Sequence, residues 1–576
     1  MISALWPPLV IGWLLTLGVE ALLRPAPCVV WRRPWATQGV HLASWLLLFA
    51  LFMLVLQRPW FALMFIVSLQ LVVVQTSNTK SATLNEPFIC QDFAYFLDAI
   101  LHPRLYVPFF GIGLAIAASS AGALAIAAFL WFEPSLVTQH GAGAFLAAGA
   151  GLVAASLLLL LPALRQLPAC SLAPHDDLKR LGLAAALWAY GRLALRPLDV
   201  SGLAAPFIAP EDTTPFTAPD DAPPFTAPFE TPPFTAPDDA PMGATIDPAR
   251  LPHVVVVQSE SFFDPRGWLP ATPPGLLDAW DRLTQEAVSQ GPLAVPAWGA
   301  NTVRTEASFL TGLPADAFGI HRFNPYPQLA RRPLPTLASR LKALGYRTVC
   351  VHPYPASFYG RDRVMPKMGF DEFLDIRAFP GGEHDGQSAR DGQCSRDGQY
   401  ISDAALAEKV GTLLDHSDNR PLFVFAITME NHGPLHLERP VPKDAPRLAA
   451  SSPAVGNEDL RVYLRHLRNA DRMLERLERQ LTPATPDARH GMLCWYGDHV
   501  PIMDDLYRKI GAPSGDTCHA IWSSRRPSPT PPGDEPLEVA ALGQCLLDQL
   551  LIDAKPAPSD KRDPTGSPGA IRSKND

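Results

Sequence analysis

His253-Val254-Val255-Val256-Val257-Gln258-Ser259-Glu260 opens the second half of the chain, and a comparable run, Met492-Leu493-Cys494-Trp495-Tyr496-Gly497-Asp498-His499, stands far downstream. Each is a short apolar run of the kind that forms a strand buried on both faces. Each stops at side chains able to hold a divalent cation. In an open α/β sheet, ligands bind outside the carboxyl ends of the strands. Two such ends brought together would place Glu260, Asp498 and His499 around one ion.

Around these runs the pattern alternates from about residue 250 to 550. Strands are expected at Val254–Val257, Arg347–Val351, Leu422–Ile427 and Met492–Trp495. Helices are expected at Thr302–Leu310, Thr336–Leu344, Ala404–Leu414, Leu460–Leu481 and Leu537–Leu551. Such alternation predicts an α/β domain with a mostly parallel sheet flanked by helices. Every expected strand delivers a polar residue: Glu260 after the first, His352 after the second, Asn431-His432 after the third and Asp498-His499 after the fourth. Four together fit the rim of an active site.

Glu260 ends a run of four valines, where a carboxylate is costly unless paired or metal-bound. Gly299-Ala300-Asn301-Thr302-Val303-Arg304-Thr305-Glu306 reads as a loop entering a helix. A helix start attracts phosphate, and a hydroxyl there is placed to attack phosphorus, although Thr302 also suits a plain N-cap. A threonine needs activation. No histidine adjoins Thr302, so a metal ion is the natural activator. A Glu, Asp, Thr and His set is hard and oxygen-rich. It suits Mn²⁺ or Mg²⁺ better than a thiolate site, with Zn²⁺ also admissible. His432 is a candidate proton or hydrogen-bond donor to a substrate oxygen, and Arg361 a candidate bidentate phosphate ligand.

The first 165 residues are of another kind. Apolar segments at Ile2–Leu23, Val40–Leu56, Trp60–Val74, Leu105–Phe132 and Ala142–Leu164 predict five membrane-spanning helices. The second and third are joined by Gln57-Arg58-Pro59 as a tight hairpin. Glu20 reads as a snorkelling or interfacial carboxylate, and Leu181–Leu195 as a helix lying on the membrane. Arg24, Arg32, Arg33, Arg165, Lys179 and Arg180 bias the C-terminal half toward the cytoplasm. Residues 166–250 hold that helix and a linker in which Pro-Phe-Thr-Ala-Pro recurs at 215, 224 and 233. Such a segment favours extended polyproline geometry and reads as a spacer. The α/β domain is expected over 251–552, and 553–576 reads as a disordered tail. The net charge of -8 argues against a nucleic-acid partner, and the eight cysteines show no metal-binding spacing.

With these residues in view, the chain resembles the lipoteichoic acid synthase-like branch of the alkaline phosphatase/sulfatase superfamily. The family's metal set of Glu, Thr, Asp and His falls on Glu260, Thr302, Asp498 and His499, and its nucleophile on Thr302. Its Asn-His pair falls on Asn431-His432, and its substrate-binding His and Arg on His352 and Arg361. The resemblance implies a bacterial cytoplasmic-membrane enzyme with its catalytic domain outside, against the charge bias. It implies one divalent ion, Mn²⁺ in first place. It also implies ping-pong transfer of a phosphoglycerol-type headgroup from a phospholipid, through phospho-Thr302, to a cell-surface glycan or polymer. The family's headgroup pocket uses an Asp, a Trp and a Ser where this chain has Tyr354, Tyr359 and Met503. Phosphoethanolamine transfer, or phosphodiesterase or sulfatase-type hydrolysis, therefore stands as the alternative. The chain has no Cys-x-Pro-x-Arg motif of ordinary sulfatases. A non-catalytic membrane scaffold would tolerate Thr302→Ala.

Overall fold

The computed structural model describes residues 1–96, 112–199, 248–269, 272–380, 396–416, 419–438, 456–485, 487–525 and 535–555, together with Phe207 and Ala454. Among the described residues, five helical stretches are long and apolar enough to cross a membrane. They fall on α1 (Ile2–Glu20), α2 (Trp35–Leu56), α3 (Pro59–Thr83), α4 (Ile112–Phe132) with the turn that follows it, and α5 (Ala142–Arg165). Residues 105–111 of the fourth expected segment lie outside the described residues. Gln57 turns left-handed at φ 58° and Pro59 starts α3, where its missing N–H costs nothing. Glu133 caps that end, accepting the amides of Trp60 and Phe61 at 2.9 and 2.8 Å. At the other end Arg24 N–H donates to Asn78 Oδ1 at 2.7 Å, which sets the end of α1 beside the end of α3.

One membrane-region expectation changes. Glu20 is 1% exposed; it accepts Arg33 Nη1 at 2.6 Å and the Leu183 amide at 2.7 Å. A buried charge persists where it is paired, so Glu20 staples the bundle instead of snorkelling. The expected helix Leu181–Leu195 is found as α7 (Leu183–Ala194), set off by Gly182 at φ 77° from a preceding short helix, α6 (Pro174–Leu181), and it packs on the bundle. Leu181, Ala185 and Ala189 pack on Val40 and Ala43 of α2 and Leu160 and Ala163 of α5. Phe207 of the linker also docks, buried in the core of the α/β domain. The Pro-Phe-Thr-Ala-Pro repeats and the tail beyond 555 lie outside the described residues.

The second domain is built on an eight-stranded sheet of order β10-β2-β9-β8-β1-β7-β3-β4. Its strands are β1 (His253–Ser259), β2 (Ser289–Ala294), β3 (Arg347–Val351), β4 (Glu372–Leu374), β7 (Leu422–Ile427), β8 (Gly491–Gly497), β9 (Thr517–Ser523) and β10 (Leu537–Glu538). A separate ribbon holds β5 (Arg396–Asp397) and β6 (Tyr400–Ile401). The block β8-β1-β7-β3-β4 is parallel, and β9 runs antiparallel between β8 and β2. The flanking helices are α8 (Asp278–Glu286), α9 (Thr302–Thr311), α10 (Asp403–Asp415), α11 (Glu458–Leu481), α12 (Asp504–Ile510) and α13 (Val539–Asp553).

Period-two alternation sorts the strand side chains. Val255, Val257, Val424, Leu493 and Trp495 join Leu283, Leu406, Val410, Leu467 and Leu474 of α8, α10 and α11. Val254, Val256, Phe425, Met492 and Cys494 join Val303, Ala307, Leu542 and Leu546 of α9 and α13. Each such side chain contributes about 1.5–3 kcal/mol on full burial. Register then sets the strand ends level: Gln258 lies opposite Ile427 and Ser259 opposite Gly497. Glu260, Thr428 and Asp498 consequently leave the sheet side by side.

Candidate active site

Three of the expected ligands meet at that level. His499 Nε2 lies 3.4 Å from Glu260 Oε1 and 3.4 Å from Asp498 Oδ2, and all three side chains are buried. His499 Nδ1 faces the Val500 carbonyl at 3.1 Å. A ring whose Nδ1–H is engaged by a carbonyl presents the Nε2 lone pair, here toward both carboxylates. Ser261 braces the cluster: its amide donates to Asp498 Oδ1 at 2.9 Å and its hydroxyl to Glu260 Oε1 at 2.9 Å. The Glu260 amide donates to Thr428 Oγ1 at 2.8 Å. Gly497 allows the strands to close here, since a Cβ on it would lie 1.7 Å from the Phe262 carbonyl oxygen. Ser261 itself is held at φ 54°, a left-handed backbone that a non-glycine residue adopts at some energetic cost.

The electrostatics are unbalanced without a cation. Burial, then the neighbouring Glu260 charge, push the Asp498 carboxyl up to about 7. Burial presses His499 toward neutrality, yet Asp498 and Glu260 outweigh it and raise its pKa. Asp498 Oδ2 is buried without a hydrogen-bond partner among the described residues. Two carboxylates, an imidazole lone pair and one orphaned oxygen fit a divalent cation.

Thr302 is the first residue of α9, so Asn301, at φ 66°, takes the cap position that a plain reading would give to Thr302. Among the described residues no side chain caps the helix; the Arg304 amide turns back to the Asn301 carbonyl at 2.9 Å, and the amides of Thr302 and Val303 open the helix toward an anion. The Thr302 hydroxyl is close enough to Asp498 to steady its charged form. Thr305, one turn on, donates its hydroxyl to the Asp498 carbonyl at 2.9 Å, which ties α9 to the end of β8.

The other expected residues are arranged differently. Asn431 and His432 line a cavity of about 480 Å³ together with Glu260, Ser261, Asn301 and Tyr359. Asn431 Oδ1 is buried and has no hydrogen-bond partner among the described residues. His432 Nδ1 faces the Gly433 carbonyl at 2.7 Å, which leaves Nε2 for the substrate. Arg361, expected to grip phosphate, is 1% exposed. Its Nε and Nη2 donate to Glu306 of α9 at 3.1 and 2.7 Å, and its Nη1 faces His352 Nε2 at 3.2 Å. Glu306 also accepts Gln258 Nε2 at 3.2 Å and the Tyr326 hydroxyl. Arg361 and His352 thus stand behind the helix that carries Thr302, committed to a buried network.

Sequence reading missed Ser261, Glu306 and the membrane-side wall of the cavity. That wall comes from Thr76, Lys80, Leu84, Phe88 and Tyr95, at and beyond the end of α3. No spacing rule links these residues to a strand end more than a hundred and fifty positions downstream.

An open α/β sheet with a carboxylate–histidine cluster beside a helix-borne threonine has the parts from which a metal-assisted ester-processing site can be built. The Sulfatase family model matches residues 252–531, the span of the α/β domain, in line with the resemblance seen in sequence. The chain is 28% identical over 267 residues to a putative cyclic beta-1,2-glucan modification protein of Rhizobium meliloti (strain 1021), covering 46% of this chain and 38% of that one. It is 30% identical over 269 residues to the capsular polysaccharide biosynthesis protein RkpI of the same organism, covering 46% and 44%. It therefore spans less than half the length of these relatives. Among solved structures, the Streptococcus pyogenes phosphoglycerol transferase GacH in complex with sn-glycerol-1-phosphate aligns with a TM-score of 0.40 at 20% identity, covering 54% of this chain and 78% of that one.

Proposed function

We propose that the protein is a membrane-bound, metal-dependent transferase that moves a phosphoryl headgroup from a phospholipid to a cell-surface glycan or polymer, with the catalytic domain on the outer side of the cytoplasmic membrane. The observation that carries this reading is the cavity shared between the two domains. One wall holds Glu260, Asn301 and His432, and the other is the end of the membrane helix α3.

Glu260, Asp498, His499 and Thr302 would hold the divalent ion, with Mn²⁺ the first choice for this oxygen-rich set. When bound, the ion lowers the pKa of a coordinated hydroxyl and offsets charge on a phosphoryl oxygen. Thr302 Oγ attacks phosphorus and its proton passes to the Asp498 carboxylate. The bond from phosphorus to the diacylglycerol oxygen breaks, and that oxygen takes a proton from protonated His432. The amides of Thr302 and Val303, which open α9, steady the phosphoryl oxygens. An acceptor hydroxyl then gives its proton to His432 and displaces Thr302, which recovers its own.

A second reading, phosphoethanolamine transfer, is favoured by one feature. Tyr354, Phe358, Tyr359, Tyr400 and Met429 cluster beside His432, and aromatic faces attract an ammonium group. Incubating the full-length protein with Mn²⁺ and phospholipids labelled in either headgroup tests both. Label retained on Thr302 with release of diacylglycerol is the expected result, and its identity selects the headgroup. No labelling in the wild type, or equal labelling in Thr302→Ala, would overturn the transferase reading.

A further inference from the structure

Four charged side chains fasten the membrane-side wall of the cavity to the helix that carries Thr302. Glu86, just past the end of α3, accepts Arg304 Nη1 at 2.8 Å and Nη2 at 3.1 Å. Lys80, on α3, donates to Glu86 at 2.5 Å and to Asp92 at 2.8 Å. Arg304 stands in the first turn of α9, two residues beyond Thr302. Its Nε donates to the Phe323 carbonyl at 3.2 Å and its guanidinium lies 5.3 Å from the Phe323 ring centroid. Glu86, Asp92 and Arg304 are largely buried. Burial would push Glu86 up, but Arg304 and then Lys80 outweigh it and hold its carboxyl at about 2.

Apolar contacts follow the same line. A Cβ on Gly299 would meet Ile502 at 2.6 Å and Leu84 at 3.3 Å. The loop leading to Thr302 is therefore caught between the segment after Asp498-His499 and the segment after α3. Tyr95 extends the contact, its ring 5.7 Å from that of Tyr359.

We infer that Lys80, Glu86, Asp92 and Arg304 form a clamp that sets the width of the cavity and holds Thr302 toward the end of the membrane bundle, as positioning residues for a donor that stays in the membrane. The inference rests on the transferase reading above. A small soluble ester can reach the cluster without this registry; a lipid whose tail lies along α3 cannot.

The test uses the full-length protein in lipid nanodiscs, as wild type, Glu86→Gln, Glu86→Arg and the charge swap Glu86→Arg/Arg304→Glu. Hydrogen exchange of amides 299–306 reads the clamp without substrate. Exchange about tenfold faster in Glu86→Arg, equivalent to about 1.4 kcal/mol, with recovery in the swap, is expected. Unchanged exchange overturns the clamp. The second readout compares a nanodisc phospholipid with bis(p-nitrophenyl) phosphate. Glu86→Gln is expected to raise KM for the lipid while leaving soluble-ester turnover within about twofold of wild type, less than 0.5 kcal/mol. Equal loss on both substrates overturns the positioning role. If wild type turns over neither substrate, the transferase reading fails, and with it the lipid-donor part of the inference; the exchange data then support the clamp as a structural lock only.

Discussion

Glu306→Gln separates a buried structural pair from a substrate-binding arginine. Glu306 is 0% and Arg361 1% exposed, and two hydrogen bonds of 3.1 and 2.7 Å join them. Arginine does not deprotonate in proteins. Neutralising Glu306 therefore leaves a buried guanidinium facing an amide oxygen and His352. Removing one member of a buried pair costs about 3–5 kcal/mol. Glutamine keeps one acceptor oxygen, so the loss falls near the lower end, about 3 kcal/mol. For a domain of this size each kcal/mol lowers Tm by about 2–4 °C, giving a drop of about 6–12 °C. Thermal melts of the full-length protein in detergent, followed by tryptophan fluorescence, read it directly. Arg361→Met alone should cost as much, because it strands Glu306. Glu306→Gln/Arg361→Met should recover most of the loss, since replacing both partners removes the stranded charge. A Glu306→Gln protein that melts within about 2 °C of wild type refutes the reasoning, as does a double variant as unstable as the two singles combined.

Gly497→Ala places a Cβ 1.7 Å from a backbone oxygen of Phe262, so the strand end that aims Asp498 must shift. Activity should fall about 100-fold, the scale of a 1 Å misplacement, and Mn²⁺ should no longer raise Tm. Asp498→Asn should act with opposite signs: it relieves the buried carboxylate pair and raises Tm in EDTA, yet abolishes the Mn²⁺-dependent rise. A lower Tm in EDTA would contradict the account of the cluster. His466 is buried, which lowers its pKa, but the hydrogen bonds its ring donates to Glu430 and Glu438 outweigh burial and raise it to about 9. A pKa higher in the folded than the unfolded state stabilises fully below about 6.5 and is lost as pH rises through about 9, here about 3 kcal/mol. Melts at pH 6 and pH 9.5 should show wild type losing stability across that window and His466→Phe much less.

The parallel core was legible because its strands are apolar on both faces. Val254–Val257, Leu422–Ile427 and Met492–Trp495 need no alternation to be recognised, and helices between them require a parallel arrangement. Other strands carried no such signal. β2 contains Gly291 and Pro292, residues that weaken or bar a central strand, and its pairing comes from β9. β9 itself mixes Thr517, His519 and Ser523 with apolar residues, so it reads as a strand only once β8 is beside it. The expected helix from Leu537 begins at Val539, because Leu537 and Glu538 pair with β2. Local sequence does not encode which edge a short segment will meet.

The candidate site divides along the same line. Glu260, Asp498 and His499 could be grouped from sequence because each follows a strand, and register does the rest. Arg361 could not be placed, because its partner Glu306 lies on a different element and nothing local distinguishes a paired guanidinium from one awaiting phosphate. The membrane-side wall was hidden for a different reason. Hydropathy ends the third span at Val74, and residues beyond it are polar, which normally marks a loop. Here the helix continues to Thr83, and Lys80 at its end finds Glu86 and Asp92. Glu86 is buried here and takes a second cation from outside the bundle. Arg304, in the first turn of the Thr302 helix, is that cation. Where hydropathy draws the boundary between two domains, the ion pairs join them, and the cavity that meets Glu260 and His432 lies at that junction.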